Sequence, residues 1–360
     1  MKKTVFLLFL FAAAQAALMA GTFNIDKNEE IDLSGVERIS FVMEGPRCMM
    51  CLQTGSFEYS FSGRRSGGTL GLSLEGDLSS NRRRALPELI TDKKGRTLTV
   101  KLYEKNHLFF GLVQNGSVHF HAEIPLDFDG EVEILTSSGD LTVEDLSARN
   151  IVIDSSSGDI EAGSIAGEQI EIEASSGRIR AETVRADEMF SIKASSGDIY
   201  LGETSSTDTR IEANSGRIEL GRLFSSGTLS IEAHSGRITA DTLEARRIDV
   251  ESHSGRISIG AIASDSVEMK ASSGSVDLGF SGLYGPVDID SSSGDIVLHL
   301  PAASGFSADL EVSSGRIISD FKLLGDVSNS ERDSVRGEAN GGGPLLRLET
   351  SSGDIEIRKQ

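Results

Sequence analysis

Large aromatic side chains are scarce in this chain. Its 360 residues include no Trp, four Tyr and 16 Phe, and aromatics make up 6% of the total. A bulky globular core is hard to build from so few rings. Many short strands joined by tight turns suit the composition, given 39 Gly and frequent Ser. There are only six Pro, and 25% of residues are charged, which argues against a disordered chain. Basic residues are outnumbered, 35 against 55 acidic, for a formal charge of −20. Such a surface repels nucleic acid and anionic lipid and tolerates cations, cationic partners or neutral glycans.

Long apolar runs are missing except at the start. "MKKTVFLLFLFAAAQAALMA" has a basic beginning (Lys2, Lys3), a short apolar stretch from Val5 to Ala14 and an A-x-A pattern at Ala14-Gln15-Ala16, with a second site at Ala20-Gly21. Residues 1–20 therefore read as a signal peptide for export. The run is shorter than the ~20 residues a membrane span needs. Removing it takes the charge to −22, from 33 basic and 55 acidic residues. The expectation is an exported protein, periplasmic or at the cell surface, with no integral membrane segment after signal removal.

What the chain does have is a repeat. A small-Ser-Gly turn recurs at Gly139, Gly158, Gly177, Gly197, Gly216, Gly236, Gly255, Gly274, Gly294, Gly315 and Gly353. The spacings are 19 to 21 residues until the last, which is 38. A fixed period near 20 means stacked units, each too small to bury its own apolar face. The last interval reads as two periods with one rung replaced. Five residues before each Gly stands an aliphatic side chain, from Ile134 and Ile153 through Val250 and Met269 to Leu348. Two after it stands another, from Leu141 and Ile160 to Ile317 and Ile355. Polar residues alternate with these, so each unit holds two short strands with one face inward. No crossover helix fits. The fold class is all-β, a single-domain parallel β-solenoid with 19–20 residues per rung. Gly turns the corner because it is free at positive φ. The Ser column is structural, since no one Ser is singled out by a His and an Asp.

Charges flank the corner. Glu173/Arg178, Glu212/Arg217, Glu232/Arg237, Glu251/Arg256, Glu311/Arg316 and Lys193/Asp198 are expected to pair across it and to fix register. Other rungs are all-acidic. A Ca²⁺ ion could sit among Asp140, Asp154 and Asp159, because hard cations want several carboxylate oxygens; solvated carboxylates are the favoured reading, and no other cofactor is implied. His234 and His253 share one turn position in adjacent rungs and read as replacements for Ser, two ligands making a weak metal site.

Residues 21–125 repeat less clearly and read as an irregular β cap, leaving 126–360 as the regular solenoid with its own C-terminal cap. Strand-like alternation and aromatics there suit closure of an open end. Arg82, Arg83 and Arg84 read as a solvated loop. Cys48 and Cys51 form a C-x-x-C; in an exported chain a small disulfide leads over a redox motif, which wants a helix after the pair. "RGEANGGGP" reads as a Gly-rich loop before the last rung.

The Ser-Ser-Gly-Asp/Arg-Ile turns, "VLHLPAASGFSADLEVSSGRI", Ser319-Asp320-Phe321, Arg336-Gly337, Gly341-Gly342-Gly343 and the closing "LETSSGDIEI" together resemble a bacterial family of exported β-strand-repeat proteins catalogued as "putative adhesins", a domain of unknown function. The resemblance covers about 126–360, more weakly from about 36. It implies this fold and an adhesin-like role, and it brings no catalytic residues. The leading function is a non-enzymatic envelope binding or scaffold protein whose partner is a glycan or protein of the envelope or host surface. A polysaccharide lyase or hydrolase on a β-helix is the first alternative. It wants carboxylates gathered in a cleft of irregular loops. A purely structural self-assembling rod is the second.

Overall fold

The structure is a computed structural model that describes residues 21–43, 56–64, 67–80, 87–102, 113–329 and 333–360. Residues 1–20, Cys48, Cys51 and Arg82 to Arg84 lie outside the described residues. The chain is all-β, with 26 strands and no helix among the described residues. It is a β-solenoid, and it divides into two compact units, Met1–Gly167 and Glu168–Gln360.

The first unit contains β1 (Gly21–Asp32), β2 (Arg38–Met43), β3 (Ser56–Arg64), β4 (Thr69–Ser80), β5 (Leu89–Lys94), β6 (Thr97–Leu102), β7 (Val113–Pro125), β8 (Glu131–Thr136), β9 (Asp140–Ser147), β10 (Asn150–Ser155) and the start of β11 (Ile160–Ser176). β8 shows why these segments are strands. In "EVEILT" alternate residues are buried, so one face is apolar and the pleat puts it inward. Two ladders result. One runs β5, β6, β2, β8, β10. The other runs β1, β4, β7, β3, β9, β11. The repeat thus extends back before Gly139. Phe41 occupies the same column as Ile134, although no Ser-Ser-Gly marks its corner. Phe41, Phe61 and Phe120 pack with ring centroids 5.0–6.3 Å apart and fill that end of the core. The edge strands β1 and β5 carry exposed Asp26, Lys27, Glu29, Glu30, Asp92, Lys93 and Lys94, which discourage pairing with another chain.

The second unit contains β12 (Ile179–Ser196), β13 (Ile199–Ser206), β14 (Asp208–Ser215), β15 (Ile218–Ser235), β16 (Ile238–Ser254), β17 (Ile257–Ala271), β18 (Val276–Phe280), β19 (Val287–Ser291), β20 (Ile296–Leu300), β21 (Phe306–Val312), β22 (Ile317–Ser319), β23 (Leu324–Asn329), β24 (Asp333–Ala339), β25 (Leu345–Thr350) and β26 (Ile355–Lys359). Several rungs carry both ladder segments on one continuous strand, as β15 and β16 do. The predicted aliphatic columns are present. Ile192, Ile211, Ile231, Val250, Met269 and Ile289 stack in register, and so do Ile179, Ile199, Ile218, Ile238, Ile257, Val276 and Ile296. All are at most 3% exposed.

The long final interval is corrected by the structure. The rung of Gly353 is last in sequence but not in space. β25 pairs with β19 on one side and β21 on the other, and β26 sits between β20 and β22. The last rung is therefore inserted between those of Gly294 and Gly315. The intervening segment forms the antiparallel pair β23–β24, with β24 antiparallel to β21. The Gly-rich loop carries the chain from β24 over the start of β21 to β25. Gly343 passes so close to Gly305 that a side chain would meet backbone. Asn340, at φ +48°, anchors the crossing by donating from Nδ2 to the carbonyls of Ala302 and Ser304 (3.3 and 2.9 Å). The first unit does the same in reverse: β3 and β4 follow one another in sequence, with β7 between them.

The corner glycine is required twice over. Gly255 has φ +137°, and a Cβ there would overlap the carbonyl oxygen of Gly236 in the rung below. Its own N–H donates to the Ser273 carbonyl in the rung above (2.9 Å).

Candidate functional site

A groove of about 860 Å³ lies on the outside of the second unit. It crosses the rungs of Gly177, Gly197, Gly216, Gly236 and Gly255. On each rung the residues four and seven after the corner point inward, as Ala181 and Val184 or Leu220 and Leu223 do. Two consecutive residues between them face out, and the ladder skips one: Ala181 pairs with Leu201, then Thr183 with Glu203. At the skipped position stand Glu182, Gly202, Gly221, Asp241 and Gly260, and all five line the groove. The adjacent Gly202 and Gly221 leave its middle without side chains.

One wall holds Arg180, Tyr200, Glu219, Thr239 and Ser258, three residues after each corner; Glu203, Arg222 and Thr242 lie on the other. The Arg180 guanidinium sits 5.1 Å from the Tyr200 ring centroid, a cation–π contact. The Tyr200 hydroxyl donates to Asp198 Oδ2 (3.0 Å), and this bond to a carboxylate raises the phenol's pKa. Asp198 is itself held below the usual carboxylate range, first by the Arg217 N–H bonded to its Oδ1 at 2.7 Å. Arg217 in turn bonds Glu219 (2.9 Å), and Arg222 stands 4.0 Å from Glu203. Glu182 and Asp241 have no ion-pair or hydrogen-bond partner among the described residues. The groove is thus a tyrosine face, two guanidiniums, hydroxyls and an excess of carboxylate.

The other candidates fall elsewhere. Asp140 Oδ1 accepts the N–H of Asp159 in the next rung (3.0 Å). Among the described residues no group of three His, Cys, Asp or Glu is arranged to hold a metal, at Asp140, Asp154 and Asp159 or elsewhere. The Asp after the corner instead caps a backbone: Asp295 accepts from the Asp354 N–H, and Asp354 from the Arg316 N–H (2.9 and 2.8 Å). His234 and His253 stack face to face, centroids 4.8 Å apart, both exposed.

Several of the expected corner ion pairs do not form, and other pairs appear instead. Glu212 bonds Arg210 and Lys193, and Arg217 bonds Glu219. Arg316 reaches Asp354 of the neighbouring rung (2.7 Å), and no ion pair joins Glu232 to Arg237 or Glu251 to Arg256 among the described residues. The reason is geometric. Around a sharp corner the two side chains diverge. A residue two along the strand shares a face, and the same column on the next rung is only about 4.8 Å away. The groove itself was missed from the sequence. Its signal was a second glycine column, at Gly163, Gly202, Gly221, Gly260 and Gly279, five residues after the corner.

These features define a stacked-rung β protein with a polar surface groove. The chain belongs to the Toastrack family, DUF4097, which matches residues 71–240 and 222–358. No curated protein matches it. Among solved structures it is similar to a "putative cell adhesion protein" from Clostridium sporogenes (9% identity, 94% of this chain and 100% of that one, TM-score 0.21). It is also similar to a "putative adhesin" from Bacteroides fragilis (12%, 92% and 97%, TM-score 0.30), and to a "putative lipid binding protein" from Parabacteroides distasonis (16%, 92% and 96%, TM-score 0.29).

Proposed function

We propose that this is a non-enzymatic, adhesin-like binding or scaffold protein of the cell envelope, exported by the segment 1–20, and that its groove holds an extended glycan or protein partner. The observation that carries this reading is the groove itself. It presents the same strand positions on five successive rungs, which suits a ligand that also repeats along its length. The opening residues, with Lys2, Lys3 and the apolar stretch that follows, support export. Among the described residues no helix is long and apolar enough to cross a membrane.

The test is binding of the full chain to a panel of purified envelope and matrix polymers, beside a variant with the groove filled by Thr242→Trp and Ser258→Trp. Both positions line the groove and face out. Retention of a polymer by the wild type and its loss in the filled variant is expected. Equal binding by both, or no binding across the panel, refutes the groove as the functional surface. Release of shorter chains from a bound polymer would mean that the protein is an enzyme.

A further inference from the structure

The chemistry of the groove narrows its occupant. We propose that it binds a polysaccharide of amino sugars bearing free, protonated amines; this rests on the groove being the binding surface. Four carboxylates line it, Glu182, Glu203, Glu219 and Asp241, against two guanidiniums, Arg180 and Arg222. Glu203 and Glu219 face Arg222 and Arg217. Glu182 and Asp241 form no ion pair and accept no hydrogen bond among the described residues. They occupy the same position on their rungs, with Gly202 and Gly221 between them. Three rung steps of about 4.8 Å place them about 14 Å apart along the stack. The floor between them is free of side chains.

A slot with two unpaired carboxylates three rungs apart asks for a ligand with cationic groups spaced along it. The walls ask for more than charge. Thr239, Thr242 and Ser258 offer hydroxyls, partners for a polyhydroxylated chain. Tyr200 is half-buried, its hydroxyl is tied to Asp198 and Arg180 lies over one side of its ring, so the rest of the ring is the apolar surface it can give a sugar. A pyranose is close in length to one rung, so successive sugars can meet equivalent positions on successive rungs. An amino-sugar chain meets all three demands, since its amines pair with Glu182 and Asp241, its hydroxyls with the threonines and serine, and its ring faces with Tyr200. The whole chain's charge of −20 favours encounter with such a polycation.

The test titrates the full chain with glucosamine oligomers, with fully N-acetylated oligomers of equal length, and with oligolysine. The expected result is binding of the glucosamine oligomer, weakened about tenfold by E182Q with D241N, which is about 1.4 kcal/mol, and weakened further by salt. The N-acetylated oligomer should bind far less. If the N-acetylated form binds equally and the Thr242→Trp, Ser258→Trp variant binds neither, the amine preference is wrong while the groove stands. Oligolysine binding as tightly, with no effect of the filled groove, would mean diffuse charge attraction and overturn the proposal. So would binding of none of the three.

Discussion

Replacing Gly255 by Ala should destabilise the second unit by about 2–4 kcal/mol. Three contributions set the size. At φ +137° an L side chain is strained by about 1–3 kcal/mol. The added Cβ overlaps the carbonyl oxygen of Gly236, so the corner must shift. That shift stretches two inter-rung hydrogen bonds, Gly236 N–H to the Ser254 carbonyl and Gly255 N–H to the Ser273 carbonyl (both 2.9 Å), each worth about 0.5–1.5 kcal/mol. Opposing these, Ala loses less chain entropy on folding, by about 0.4–1 kcal/mol. The neighbouring Ser254 is exposed, so Ser254→Ala should stay within about 0.5 kcal/mol of wild type. Guanidinium unfolding of both variants, followed by circular dichroism with the slopes compared, measures the difference. If Gly255→Ala unfolds within about 0.5 kcal/mol of Ser254→Ala, the close-approach account of the glycine column is wrong.

Truncation after Gly343 removes the inserted rung, whose Leu346, Leu348, Ile355 and Ile357 are at most 1% exposed. At about 1.5–3 kcal/mol for each buried side chain, the loss is comparable with a domain's whole stability. Hydrogen exchange should then speed up across β19 to β22, not only at the end of the chain. The hydroxyls of Ser206, Thr209 and Ser225 are buried and bond one another (Thr209–Ser225 2.8 Å). Ser225→Ala should cost about 1–3 kcal/mol by leaving partners unmet, whereas replacing all three by Ala, Val and Ala should cost less in the same denaturation assay. Asp354 is held below its ordinary 3.8 by the Arg316 side chain and N–H. Its folded-state pKa is depressed, so its contribution is full above the ordinary value and is lost as pH falls through the lowered one. Asp354→Asn should therefore flatten the fall of stability below about pH 4 in an acid titration.

The rungs could be read from the sequence because each repeats the same two constraints. Ile153 and Ile160 flank Gly158 just as Ile231 and Ile238 flank Gly236, and one copy explains the rest. The stacking order at the ends could not. Local pattern says that Leu348 is an inward residue, and it is. Nothing local says that its neighbours are Ile289 and Leu310, because pairing partners are chosen by the whole stack. The early rungs were hidden for a related reason: Phe41 and Phe61 fill the core without a Ser-Ser-Gly corner between them. The corner charges were misassigned because sequence spacing does not convey direction. Glu212 and Arg217 are close in the chain, yet each finds a nearer partner on its own strand or the next rung. The groove depended on a break in alternation, two outward residues in a row at Gly202 and Glu203, which looks like ordinary polarity in a charged surface.

The most direct test of the groove reading is a hydrogen-exchange footprint of the full chain with and without whichever polymer it binds. The account predicts slowed exchange confined to residues 180–182, 200–203, 219–222, 239–242 and 258–260, the strand segments that line the groove. Protection instead at the Ser-Ser-Gly corners or over β19 to β25, with those five segments unchanged, would contradict it.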